Sequence, residues 1–332
     1  MIMNSFGRIL KVSIFGESHG NSVGVLVDGL PAGLALGEKD FIPDLERRKS
    51  GAKGTTPRKE ADIVRIMSGV FNGHTTGAPV LLTFENTNTR SSDYLKLRET
   101  PRPGHADFVA SVKFSGYEDY RGGGHFSGRL TVGLVAAGVI AKKIVNPVQI
   151  NARLISAGGL SDIEAAVNNA LEHGDSIGGI VECIIGNVPA GLGEPFFDSV
   201  ESLIAHMIFS IPAIKGIEFG AGFAATSMKG SEHNDRIVSV NGKTASNHAG
   251  GINGGLSNGN DIVFRIAVKP TSSISVPQET MNMETGEITS LSIEGRHDTC
   301  LALRVPVIAE ASAAIVMADL LLLEQRVSRI IK

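Results

Sequence analysis

The chain has 332 residues, a formal net charge of −3, no Trp and three Tyr. That balance excludes a globally basic binder of nucleic acid or anionic membrane, and a base-stacking platform for single strands; an anionic ligand must be held by a local cluster. Glycine supplies 40 of the residues, well above the ordinary share of about 7%, which points to many turns or close backbone–ligand approaches.

In chain order, residues 8–15 and 22–28 are apolar and β-branched and read as strands. Residues 38–50 place Phe41, Ile42 and Leu45 on one side of a helix, with Gly51 as its C-cap. Segments 63–71 and 78–85 read as a hairpin through Asn72-Gly73. Residues 86–104 are a polar loop with Pro101 and Pro103, and loops of that length are usually functional. A helix is expected over 105–115, a Gly-rich turn over Arg121–Gly128 and a strongly apolar helix over Thr131–Ile144. Strands at 149–157 and 178–186 flank a helix at 161–172; 198–209 is helical and 216–228 strand-like. A second Gly-rich loop, Asn247–Asn260, feeds a strand at 261–268, and 307–331 is apolar nearly all round, as a buried helix requires. Without a linker or composition shift the whole chain, 1–332, reads as a single α+β unit. Gly-rich segments at 122–133 and 248–259 echo each other, as two duplicated halves would.

Cys183 and Cys300 are far apart and read as reduced thiols of a cytoplasmic protein. The N-terminus lacks the apolar core and cleavage site of a signal peptide, and the apolar run Val132–Ala141 falls short of the ~20 residues that cross a bilayer, so no membrane is expected. No C-x-x-C or H-E-x-x-H spacing suggests zinc, so no metal is expected.

Several short segments carry chemistry. Gly16-Glu17-Ser18-His19-Gly20 matches the spacing of a nucleophile elbow, yet β-branched residues rather than a helix follow it. It reads instead as a tight turn presenting Ser18 and His19 to a pocket. Gly123 to Thr131 approaches a P-loop with Arg129 in place of Lys; its glycine N–H groups, Ser127 and Arg129 ahead of a helix make an anion site or, more plainly, a structural turn. Arg47, Arg48, Lys49, Lys53, Arg58 and Lys59 cluster, and Arg102 and Arg121 flank His105. Such a local excess suits a ligand with several anionic groups, or a solvated surface patch. Lys269-Pro270-Thr271-Ser272-Ser273 combines an ammonium with three hydroxyls, and Arg296-His297-Asp298 combines anion binding with proton transfer. Five of the nine His fall in these segments: His19, His105, His125, His248 and His297.

FGESHG at 15–20, RPGHAD at 102–107, DYRGGGHFSGRLT at 119–131, SNHAGG at 246–251, KPTSS at 269–273 and GRHDTC at 295–300 together resemble the chorismate synthase family, in the family's order and across nearly the whole chain. The resemblance implies a β-α-β sandwich with long helices between antiparallel sheets, assembled as a homotetramer. It implies a lyase that forms chorismate from 5-enolpyruvylshikimate 3-phosphate by 1,4-elimination of phosphate, the last step of the shikimate pathway. Reduced FMN is the implied cofactor, with no net redox change. By resemblance Arg48, Arg129 and Arg296 line the substrate and flavin pocket, with Lys53 standing in for a second Arg in a loop one residue short. His19 resembles the acid for the departing phosphate and His105 the residue that protonates reduced flavin. Asp298 resembles the carboxylate assisting proton removal, while Ser18 and Ser127 relay protons or bind substrate. FMN contacts are implied for His125, Phe126, Ser127, Ala213, Gly254, Lys269, Pro270, Thr271, Ser272, Ser273 and Arg296. The family usually has Arg-Ser-Ser where this chain has His125-Phe126-Ser127, and Asn where it has Pro212. An imidazole at 125 makes anion affinity pH-dependent where an Arg does not. A flavin reductase using NADPH, or an inactive anion-binding relative of the same fold, are the alternatives; no strand–GxGxxG–helix fingerprint supports a nucleotide domain.

Overall fold

The computed structural model describes residues 4–58, 60–87, 94, 96–293 and 297–331. The first half contributes β1 (Ser5–Phe6), β2 (Lys11–Gly16), β3 (Ser22–Asp28), α1 (Ile42–Arg48), β4 (Arg65–Ile66), β5 (Val70–Phe71), β6 (His74–Thr75), β7 (Val80–Glu85), α2 (Lys96–Glu99), α3 (Asp107–Phe114) and α4 (Thr131–Ile144). The second half contributes β8 (Gln149–Ala157), α5 (Ile163–Glu172), β9 (Gly179–Gly186), α6 (Val200–Phe209), β10 (Ile214–Phe219), α7 (Gly230–His233), β11 (Ile252–Asn253), β12 (Leu256–Ser257), β13 (Ile262–Val268), β14 (Gln278–Met281), β15 (Ile288–Leu291) and α8 (Val305–Leu323).

Period-two patterning sets the sheets. In β13, Ile262, Phe264, Ile266 and Val268 are buried on one face; in β9, Val181, Cys183 and Ile185 are. The first sheet runs β1-β2-β3-β7-β4 and the second β10-β13-β9-β8, every described pair antiparallel, with Val25 opposite Leu82 and Phe264 opposite Cys183. Between the sheets lie α4, against β3, and α8, against β8 and β9, and the two helices pack on each other. Small residues let them approach: a Cβ on Gly138 would lie 2.2 Å from the Ala311 Cβ. One continuous buried cluster contains residues of both sheets and both helices.

Helix α8 is apolar all round because α4 covers one side and sheet the other. Leu301–Leu323 is long and apolar enough to cross a membrane by length and composition, and 89% of its most apolar window is buried inside the protein. Its two acids are satisfied, as burial demands. Asp319 accepts the backbone N–H groups of Arg8, Ile9 and Leu10 at 2.8–2.9 Å, tying α8 to the turn before β2. Glu310 pairs with Arg47 and Lys142 and accepts Ala152 N–H.

Four expectations change in detail. The 38–50 helix is a 3₁₀ turn, Glu38–Phe41, followed by α1, whose Pro43 sits in the first turn where its missing N–H costs nothing. Lys49, with ψ of 150°, ends α1, so Gly51 is not the cap. Asn72-Gly73 does turn a hairpin, but one of only β5 and β6, while β4 pairs with β7 at the edge of the first sheet. The 216–228 segment is strand only to Phe219: Gly220 and Gly222, both at φ 55°, break it into a 3₁₀ turn. The C-terminal helix stops at Leu323, and the remaining chain returns to bond Ala32 through Arg329 and Ile331. The β14–β15 hairpin was not anticipated.

Candidate active site

A cavity of about 760 Å³ opens where the end of α1, the loops at 102–106, 122–131 and 269–273, and the segment before α8 converge. Eight Lys or Arg side chains line it against three acids, Glu60, Asp62 and Asp298. The chain as a whole is acidic, so this concentration is a local field for an anionic ligand.

Its floor is a buried ion triad. Asp62 receives Arg48 Nη1 at 2.9 Å on one carboxylate oxygen and Arg129 Nη1 on the other. Arg48 spends its remaining donors inside the protein: Nε on Thr131 Oγ1 at 3.1 Å, Nη2 on the carbonyls of Gly128 and Arg129, each at 3.1 Å. Arg129 Nε reaches Asn86 Oδ1 at 2.9 Å. All three charged residues are less than 7% exposed. Burial pulls the Arg48 guanidinium down to about 9, with Asp62 opposing the fall, so it stays charged at neutral pH. Asp62 sits at φ 49°, a strained position for a non-glycine residue, held by its two guanidinium partners.

The opposite wall is built on the turn before α3. Asp107 Oδ1 accepts from His105 Nδ1 at 2.6 Å and Arg102 Nη2 at 2.8 Å; Oδ2 accepts Arg102 Nε at 2.7 Å. Burial pushes this carboxyl up, but the bonds from Arg102 and His105 more than offset it and hold it well below the usual carboxylate range. Arg102 Nη1 donates to Ser273 Oγ at 3.0 Å, and Lys269 Nζ donates to Ser272 Oγ at 2.7 Å and Gly104 O at 3.1 Å. The turn and the KPTSS loop are thereby one unit. Burial, then neighbouring Lys215, holds the Lys269 ammonium below the ordinary lysine value.

Between floor and wall run Gly122, Gly123 and Gly124, all left-handed. A Cβ on Gly122 would stand 2.5 Å from His19 Cδ2 and 2.9 Å from Ser18 Oγ, so only glycine leaves those side chains their room. Ser18 is fully buried, within 3.4 Å of Arg58 Nη1. His19 is 8% exposed and meets Tyr94 edge-on at 5.2 Å between ring centres. Arg58 is itself oriented by Glu60, at 2.7 Å. On the remaining side Asp298 accepts Thr56 N–H at 2.9 Å and pairs with Arg304 at 3.4 Å. Burial, with Arg102 adding to it and Asp298 opposing, lowers the neighbouring His297.

Of the residues singled out in the sequence, Arg48, Arg129, His105, Ser127, His125, Phe126, Ala213, Lys269, Pro270, Thr271, Ser272, Ser273 and Asp298 all line the cavity. Ser18 and His19 are buried and do not line the cavity themselves; they sit against Gly122, which does. Lys53 is exposed and outside the lining, and Gly254 forms the turn of the small β11–β12 hairpin, also outside it. Arg296 lies outside the described residues. His125 has its ring nitrogens on protein acceptors, Nδ1 at 2.9 Å from Gly16 O and Nε2 at 3.0 Å from Asn4 Oδ1. Sequence reasoning did not single out Asp62, Asp107, Glu60 or Arg304. Only Asp107 carried a signal, two residues after His105.

The site suits a phosphate-bearing aromatic cofactor. Thr271 Oγ1 is buried with no hydrogen-bond partner, and Phe126 forms part of the wall.

A strongly cationic cavity with a carboxylate-tethered imidazole and a hydroxyl-rich lysine loop defines an enzyme that acts on a small polyanion. A family profile for chorismate synthase matches residues 10–322. The chorismate synthase of Chitinophaga pinensis is 65% identical over 331 residues, covering 99% of this chain and all of the relative. That of Dehalococcoides mccartyi is 47% identical, covering 99% of each. A crystal structure of a chorismate synthase superposes with a TM-score of 0.73 at 26% identity, over 96% of this chain and 93% of the other. The chain belongs to the chorismate synthase family.

Proposed function

We propose that the chain is a carbon–oxygen lyase that forms chorismate by 1,4-elimination of phosphate from 5-enolpyruvylshikimate 3-phosphate, the last step of the shikimate pathway. Identity of 65% to a chorismate synthase over the full length carries this reading. The cavity chemistry supports it: a substrate with one phosphate and two carboxylates matches the basic lining.

Reduced FMN is the proposed cofactor; when bound it supplies electron density to the departing C–O bond and is recovered reduced. Thr271, Ser272 and Gly122 are the groups to hold it, with Phe126 against its rings. Arg58 and Lys269 meet substrate charge directly, while Arg48 and Arg129 supply a fixed positive floor. His19 is the proton donor for the leaving phosphate. His105 holds or gives a proton at Nε2. Asp298, anchored by Thr56 and Arg304, assists proton removal. Large exposed apolar side chains, among them Phe196 and Phe197, support self-association as a homotetramer, and two unpaired buried cysteines suit the cytoplasm.

Anaerobic incubation with substrate and dithionite-reduced FMN tests the reading. Chorismate absorbance rises with reduced flavin and stays flat without it. Equal turnover lacking flavin, or steady NADPH oxidation without chorismate, overturns it.

A further inference from the structure

His105 lines both the main cavity and a smaller pocket of about 210 Å³. Two groups compete for Nδ1: Asp107 Oδ1 at 2.6 Å and Arg102 Nη2 at 3.0 Å. They demand opposite tautomers. Were Nδ1 to accept from Arg102, its lone pair would face a carboxylate oxygen across 2.6 Å. Were it to donate to Asp107, the guanidinium would be the poorer neighbour, but farther off and with Asp107 Oδ1 to bond at 2.8 Å instead. The shorter, charge-assisted bond wins. We propose that Asp107 is the positioning residue of His105: it fixes the Nδ1–H tautomer and leaves Nε2 as the ring nitrogen that exchanges a proton, while Arg102 braces Asp107 rather than the imidazole.

The bracing is specific. Arg102 gives Nε and Nη2 to the two oxygens of Asp107, and its backbone N–H adds a third bond at 3.2 Å. The carboxylate therefore stays ionised and does not take the proton; any proton gained by the imidazole sits on Nε2 and leaves from there. Other charged groups near the ring are Lys269, through Gly104, and Arg98, Glu118 and Asp119, which line the rear pocket; Asp119 is already neutralised by Arg121 at 2.8 Å. Asp107 alone touches Nδ1 with a negative charge among the described residues.

The consequence for catalysis rests on the chorismate synthase reading, but the tautomer does not, so the two can fail separately. In the full chain labelled with ¹³C and ¹⁵N at histidine, with His105→Gln to assign the signal, wild type shows Nδ1–H. Asp107→Asn moves His105 towards the other tautomer, because the carboxylate is lost while Arg102 remains. Arg102→Gln leaves Asp107 on Nδ1 and keeps the Nδ1–H tautomer, which a general loss of fold does not do. In turnover, Asp107→Asn lowers kcat about tenfold or more with little change in KM, and Asp107→Glu recovers part of it. An unchanged tautomer in Asp107→Asn, or loss of the Nδ1–H tautomer in Arg102→Gln, overturns the proposal. The expected spectra in a protein that makes no chorismate sustain it and overturn the functional reading alone.

Discussion

The two walls of the cavity hold similar charges in opposite ways. At the floor, Arg48, Asp62 and Arg129 are buried and spend nearly all their hydrogen-bonding capacity on one another and on backbone. On the facing wall, Arg102 and Asp107 are equally committed, but to a histidine and a hydroxyl loop that themselves line the cavity. A guanidinium in the cavity is thus not automatically a substrate ligand. The floor sets a fixed field and the shape of the pocket; the wall holds the groups that can change state.

Breaking the floor has the largest effect. Asp62→Asn leaves two buried guanidinium groups without their counter-charge, and breaking such a pair costs about 3–5 kcal/mol. Denaturant unfolding measures this, with activity lost alongside stability. Removing the imidazole from the wall separates the two properties: His105→Ala lowers kcat by about 10²–10⁴-fold, the usual worth of a general acid, while unfolding moves by no more than about 1 kcal/mol. Comparable losses of stability in both variants erase the distinction between the walls.

The pH dependence sharpens it further. Asp107 has a folded pKa below its unfolded value, so its stabilisation is complete above the ordinary carboxylate range and is lost as pH falls toward the depressed value. The stability gap between wild type and Asp107→Asn is therefore full at neutral pH and closes below about pH 4. A gap that stays constant into acid shows that the ion pair is not its source. The smallest effect belongs to Lys53, exposed and outside the lining: Lys53→Ala changes stability by about 0.5 kcal/mol or less and KM by less than about twofold.

Much of this organisation was legible in the sequence. Helix α4 has the bounds read from its apolar run, and β8 matches its alternation residue for residue. Both signals are local. What escaped was non-local or unpatterned. The β14 and β15 segments, QETM and ITSL, are short, mostly polar and only partly buried, so no hydrophobic period marks them. The break at Gly220 comes from close approach to the His248 carbonyl, which a Cβ would meet at 2.1 Å. In the site, Gly-rich turns and paired basic residues advertised the cavity. Asp62 did not, because a lone Asp among charges looks like solvated surface until the fold brings Arg48 and Arg129 to it. His125 shows the converse: a residue conspicuous by type, whose ring faces Gly16 and Asn4.

The most direct test of the central claim is the stoichiometry of a single anaerobic turnover, with the flavin spectrum recorded throughout. One chorismate and one phosphate are expected per substrate consumed, with FMN fully reduced at the end. Phosphate release without chorismate, or net oxidation of the flavin in step with substrate loss, contradicts it.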